Sequence, residues 1–182
     1  MTDLQAMNLA NQCAQAMLKR DAASQAMGMH LLAAAPGCAH VSMSVRADMI
    51  QGHGTCHGGY LFALADSAFA LACNSYNDAT VGLGCSIDYV ATAHLGDTLS
   101  AECREQSRAG RTGNYDVRIT NQLGQLIALF HGKSYKVRGT VLAQETPNER
   151  RLDHRRGTHP DWPLCRCLEQ RAHRRSWCGA AA

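Results

Sequence analysis

Aromatic residues are scarce in this chain, 5% of 182 positions, so its core must be filled by Ala, Val, Leu, Met and Cys. Also missing is any apolar run of the roughly 18 to 20 residues that crossing a bilayer takes. The N-terminus carries Asp3, Gln5, Asn8 and Asn11 where a signal peptide needs an apolar block. These absences predict a cytoplasmic protein with no membrane partner. No HExxH, GxGxxG, Walker A or GxSxG segment occurs, which removes zinc-protease, dinucleotide, P-loop and hydrolase-elbow readings. The nine cysteines are odd in number and lack a repeating CxxC spacing, the usage of reduced thiols rather than of a disulfide framework.

Charge is unevenly distributed. Residues 1–145 carry ten Lys/Arg against eleven Asp/Glu, whereas residues 146–182 carry eight Arg against four acids. The body therefore has no basic stripe of the kind nucleic acid requires, and no nucleic-acid partner is expected.

With 46% apolar residues the chain can bury one good core. Residues 1–28 read as a helical cap, with apolar positions Met7, Ala10, Ala14, Met17 and Leu18 at helical spacing as far as Arg20. A second short helix is expected over Ala22 to Met27. Pro36-Gly37 marks a turn, and Val41, Met43 and Val45 alternate with polar neighbours as in a half-buried strand. Gly58 to about Tyr76, rich in Ala and Leu, is too long for a buried strand and predicts a helix. Four strands follow, Val81 to Val90, Thr98 to Glu105, Tyr115 to Ile119 and Gln125 to Val137, and are expected to form a meander. The whole predicts an α+β domain over residues 29–140, one antiparallel sheet wrapped around a long central helix. Residues 141–182 then make a basic, disordered tail without apolar periodicity.

The central helix is apolar or small on every face except at Asp66 and Ser67. A carboxylate there must be paired, protonated or open to a cleft. At the helix start, Gly58 and Gly59 leave backbone N–H groups and the positive end of the macrodipole uncovered, a place for an anion or a developing oxyanion. Asp66 lies about 12 Å beyond Gly58 along the axis, too far for one carbonyl to meet both. If the two share a reaction centre, they come from two antiparallel copies of the helix, which predicts a dimer with two sites at its interface.

His57-Gly58-Gly59 leading a helix with Asp66, after Gly52-His53 and Cys56, resembles the PaaI-type hotdog-fold acyl-CoA thioesterases of phenylacetate degradation. The resemblance extends over about residues 7 to 140, through Ala72-Cys73-Asn74-Ser75, Gly96-Asp97-Thr98-Leu99 and Gly132-Lys133-Ser134. It implies a hotdog fold, a homodimer joined into a homotetramer, and hydrolysis of aromatic acyl-CoA thioesters such as phenylacetyl-CoA or its ring-hydroxylated forms. No cofactor is implied, since coenzyme A is part of the substrate. Asp66 of the partner subunit would act as general base or nucleophile and the Gly58 N–H as oxyanion donor. Gln51 stands where family members commonly carry Asn before the Gly-His of the loop, so its amide is a candidate contact to water or substrate with a reach longer by one methylene.

His57 and Gly59 are candidate substrate contacts, with a structural hydrogen bond at the helix start as the other assignment for His57. Arg108, Arg111 and Lys133 are candidates for the CoA phosphates, or solvated surface charges. Met49, Tyr60, Phe62, Phe69 and Tyr89 are open to two assignments, an aromatic-acyl pocket or ordinary core. No metal is expected, because His53 and His57 sit in a glycine-rich loop rather than on one helical face. Cys56 and Ser67 read as packing residues rather than nucleophiles. The alternative function is a silent acyl-CoA-binding hotdog module.

Pro147, Pro160 and Pro163, with three Arg-Arg pairs and scattered Cys, give residues 146–182 the composition expected of a shifted reading frame at the end of the gene. Intact mass of natively produced protein tests this, and a native mass that includes a functional tail overturns it.

Overall fold

The computed structural model describes residues 2–142; apart from Val141 and Leu142, the expected basic tail lies outside them. Helix α1 (Asp3–Arg20) starts four residues before the apolar spacing predicts, because Thr2 and Gln5 form a capping box. The Gln5 side chain accepts the Thr2 N–H at 2.9 Å, and the Thr2 hydroxyl accepts the Gln5 N–H. Helix α2 (Ala22–Ala26) is capped by Asp21, which accepts the N–H groups of Ala23 and Ser24.

Six strands follow: β1 (His30–Ala35), β2 (Cys38–Ser44), β3 (Asp78–Tyr89), β4 (Thr98–Ala109), β5 (Thr112–Thr120) and β6 (Leu126–Thr140). β1 is an element the sequence reading did not supply. Its residues, His-Leu-Leu-Ala-Ala-Ala, lack the β-branched and aromatic types that mark strands; pairing with β2 across the Pro36-Gly37 turn imposes the conformation. All the strand pairs are antiparallel and the order is β1-β2-β4-β5-β6-β3. The expected four-strand meander is therefore correct only for β4-β5-β6. β3 pairs with β6, and residues 90–97 carry the chain back across to β4.

Helix α3 (Gly58–Cys73) lies against the inner face of this sheet. Leu61, Leu64, Ala65, Ala68, Phe69, Leu71, Ala72 and Cys73 are buried. Phe69 is the hub, its ring 5.4 Å from that of Tyr115 and 5.9 Å from that of Phe130. Gly132 lets Phe69 in, since a Cβ there would stand 3.0 Å from both phenyl rings. The helix ends at Cys73, short of the predicted Tyr76, because Asn74 turns its side chain to the next strand. It donates to the Thr80 carbonyl and accepts the Thr80 N–H, both at 2.9 Å, closing the chain reversal that starts β3. Asn77, in the left-handed region at φ 63°, accepts the Leu142 N–H at 2.8 Å, and Arg20 donates to the Val141 carbonyl. The domain is thus tied shut just past the expected boundary at residue 140. Among the described residues no helix is long and apolar enough to cross a membrane.

Gly37 holds the β1–β2 turn at φ +68°, and a Cβ there would meet the Glu105 Cβ and the Tyr76 hydroxyl at 2.9 Å. Gly37→Ala is expected to lose about 2 kcal/mol or more of stability in chemical denaturation, from the left-handed conformation plus crowding. Gly96→Ala, at φ +86° with open space around it, should lose only the conformational part.

Candidate active site

The loop before α3 is closed by its own backbone and by Gln51. The Gln51 N–H donates to the Thr55 carbonyl at 2.9 Å and the Gly54 N–H to the Gln51 carbonyl at 2.8 Å. The Gln51 side-chain amide donates to the Thr55 hydroxyl at 3.0 Å and accepts the His53 N–H at 3.4 Å. This amide thus faces its own loop. The next residues are pinned to the body, Cys56 N–H to the Ala93 carbonyl and His57 N–H to the Met49 carbonyl, so the helix start cannot drift.

His57 is the N-cap of α3, and its Nδ1 accepts the Gly59 N–H at 2.9 Å. The structural hydrogen bond is therefore the one His57 makes, and it occupies the Gly59 amide. The Gly58 N–H makes no hydrogen bond to any described residue. It stands at the positive end of a sixteen-residue helix, where an oxyanion is stabilised. Over Gly58 lies the ring of Tyr89, whose hydroxyl donates to the Gly58 carbonyl at 3.0 Å. A Cβ on residue 58 would stand 2.9 Å from the Tyr89 Cζ and hydroxyl oxygen.

Asp66 sits mid-helix, half-buried. It has no cationic partner among the described residues; its near polar neighbour is the thiol of Cys85, 4.0 Å from Oδ1. Burial pushes the Asp66 carboxyl above the ordinary carboxylate value. Gly59, Phe62, Ala63, Asp66 and Ala70 recur at helical spacing along one side of α3, and none of them is fully buried. An apolar stripe with a carboxylate at its centre is thus left partly uncovered.

The three expected phosphate contacts are not brought together. Arg108 and Arg111 line a cavity of about 290 Å³ at the C-terminal end of α3, with Lys136, Asp78, Thr112 and Ser134. Arg108 stacks on Tyr76 and lies 3.8 Å from Asp78 and 3.9 Å from Glu105; Lys136 contacts Asp78 at 2.7 Å. Lys133 instead leaves the opposite, outer face of the sheet, because its neighbours Gly132 and Ser134 turn inward and are buried. The cavity adjoins Cys73, about 10 Å beyond Asp66 along the axis.

Met49 and Phe69 are fully buried core. Ser67 faces the Ser24 hydroxyl of α2 at 3.1 Å. Cys56 is buried, and burial followed by the charge of Asp97 raises its thiol pKa, the reverse of what a nucleophile needs. Among the described residues no group of three or more His, Cys, Asp or Glu side chains converges as metal ligands do. Lys136, Cys85 and the Tyr89–Gly58 contact were missed from sequence. The spacing of Cys85, Ile87 and Tyr89 by two is the signal that puts them on one face of a strand, yet only the pairing of β3 with β6 lays that face on α3.

The family described as the thioesterase superfamily matches residues 53–128. The chain is 44% identical over 133 residues to the acyl-coenzyme A thioesterase PaaI of Escherichia coli K12, covering 73% of this chain and 95% of that protein. The solved structure of E. coli PaaI, from the phenylacetic acid degradation operon, superposes with a TM-score of 0.73 at 44% identity over 74% of this chain and 97% of that one. The smu.793 protein of Streptococcus mutans UA159, solved bound to acetyl-CoA, is similar at 30% identity and a TM-score of 0.59, covering 62% and 90%.

A carboxyl raised by burial binds its proton more readily in the native than in the unfolded chain. Stability therefore falls as pH rises from the unfolded value through the raised native one, and ionised Asp66 is destabilising at neutral pH. Asp66→Asn is expected to leave the thermal midpoint at pH 7 equal or higher, and the gain should vanish at acid pH. A marked drop at pH 7 would make Asp66 a structural carboxylate.

Proposed function

From the premise that this chain belongs to the thioesterase superfamily, with the hotdog fold, we propose that it hydrolyses aromatic acyl-CoA thioesters, phenylacetyl-CoA or its ring-hydroxylated forms foremost. The enzyme class, acyl-CoA thioesterase, follows from the likeness over nearly the whole of the E. coli protein. The observation that carries the mechanism is the pairing of two unmatched groups on one helix. Asp66 is a raised, half-buried carboxylate without a cation, and Gly58 is an N–H without an acceptor among the described residues.

They are too far apart to serve one carbonyl within a chain. Two copies of α3 packed antiparallel along the Gly59, Ala63, Asp66 and Ala70 stripe bring Asp66 of one copy opposite Gly58 of the other. The free edge of the sheet favours the same assembly. β3 is twelve residues long, unpaired on one side among the described residues, and exposes Leu83, an edge that needs covering. Two such dimers then make the expected homotetramer.

In the reaction, water attacks the thioester carbonyl carbon while Asp66 takes a proton from it. The displaced π pair moves onto the carbonyl oxygen, where the Gly58 N–H stabilises it by about 3 to 4 kcal/mol. The pair returns, the C–S bond breaks, and the CoA thiolate leaves and takes a proton, giving free acid and CoA. Attack by the Asp66 carboxylate itself, through a mixed anhydride that water then opens, uses the same two groups. Arg108 and Arg111, joined by Lys136, meet the CoA phosphates. Gln51 holds the loop in register, a role its contacts to Thr55 and His53 support. Since ionised Asp66 is the working form, activity falls as pH drops through its pKa, which burial raises from the ordinary aspartate value.

Release of CoA from phenylacetyl-CoA and from a short aliphatic ester should favour the aromatic ester and fall by orders of magnitude in Asp66→Asn. Binding without turnover in the wild-type chain would make this a silent acyl-CoA module. Gly58→Pro removes the N–H at a helix position that accepts proline, after a His57 already extended at ψ 132°, and Gly58→Ala, which displaces the Tyr89 ring equally but keeps the N–H, is its control. Asp66→Asn and Gly58→Pro should each be inactive alone, and refolding the two together should restore about a quarter of wild-type activity, the share of intact cross-subunit sites in random dimers. No recovery would place both groups in one chain.

A further inference from the structure

Two consecutive glycines at a catalytic helix start are a liability, because neither has a side chain to fix its peptide plane. An oxyanion donor works only if it is already aimed before charge develops. In this chain the peptide between Gly58 and Gly59 is held at both ends. His57 Nδ1 accepts its N–H at 2.9 Å, and the Tyr89 hydroxyl donates to its carbonyl at 3.0 Å. Tyr89 is 54% exposed in the single chain, so burial of the ring within its own chain does not account for its place. Its backbone is anchored in the β3–β6 ladder opposite Ala128, and the following Val90 N–H donates to the Ile127 carbonyl at 2.8 Å. The sheet thus reaches across to the mouth of the helix through one phenol, and the missing Cβ of Gly58 is the space that phenol fills.

We infer that Tyr89 is a positioning residue for thioester hydrolysis, clamping the Gly58–Gly59 peptide through its hydroxyl so that the Gly58 N–H is aimed at the oxyanion. It touches the carbonyl of the donor residue, on the peptide that follows the donor N–H, and not the reacting atoms. The inference rests on the reading of the Gly58 N–H as oxyanion donor. A clamp of this kind acts on the transition state, where charge on oxygen is greatest, and little on the bound ester. Its loss lowers kcat and leaves KM nearly as it was.

Tyr89→Phe keeps the ring and removes the hydroxyl. With phenylacetyl-CoA, kcat should fall about three- to tenfold, the effect of one neutral hydrogen bond, with KM unchanged and the Gly59 amide exchanging its hydrogen faster. In a Gly58→Ala background, where the added methyl already displaces the ring, the same substitution should have almost no further effect. Unchanged kcat in Tyr89→Phe overturns the inference, as does faster amide exchange without loss of kcat, or an equal loss in both backgrounds. If Asp66→Asn is inactive while Tyr89→Phe is fully active, the clamp alone fails. If Asp66→Asn keeps wild-type turnover, the underlying reading fails and the clamp with it.

Discussion

A carboxylate held half out of water, with no cation beside it among the described residues, is the condition on which the rest of this structure turns. α3 must be apolar enough to bury Leu61, Leu64, Phe69 and Leu71 against the sheet, yet it carries Asp66 on the stripe the sheet leaves uncovered. Among the described residues neither an ion pair nor full exposure relieves that carboxyl. Burial raises its pKa, so the ionised form is held at a cost in stability. The core around it is built to carry that cost. Phe69 packs against Tyr115 and Phe130, and Gly132 removes the one Cβ that would push the ring out.

The helix start obeys a second constraint. It must present an unbonded N–H, yet stay ordered although its first two residues have no side chains. Each neighbouring hydrogen bond takes a group other than the Gly58 N–H. His57 takes the Gly59 N–H, Tyr89 takes the Gly58 carbonyl, and the loop from Gln51 to His57 is tied to Thr55, Met49 and Ala93. The donor left over has its backbone neighbours fixed, which is the arrangement electrostatic catalysis requires.

Charge near the far end of α3 follows a looser rule. Arg108 and Lys136 share Asp78, and Arg108 also approaches Glu105, so the cavity is weakly rather than strongly basic. Such a surface can exchange an internal partner for a phosphate without ever leaving a cation bare. Lys133 has no part in it because strand residues alternate sides, and one step along β6 moves a side chain to the other face of the sheet.

By itself the sequence determined the helices and most strands, and it singled out the two groups at the centre of the candidate site. Helical spacing located α1, Ala and Leu content located α3, and Asp66 stood out because a lone carboxylate in an apolar helix has few tolerable explanations. The proposal that two copies of the helix pair antiparallel rests likewise on a rise per residue. The tertiary structure decided what local pattern does not encode. β1 is a strand only because β2 pairs with it. β3 lies at the sheet edge beside β6 because hydrogen-bond pairing between distant segments leaves no trace in either segment's periodicity. That placement brings Tyr89 over Gly58 and Cys85 toward Asp66, and it lays Asp78 beside Lys136. Residue types and spacing set which groups are available, and only the long-range pairing of strands sets which of them meet.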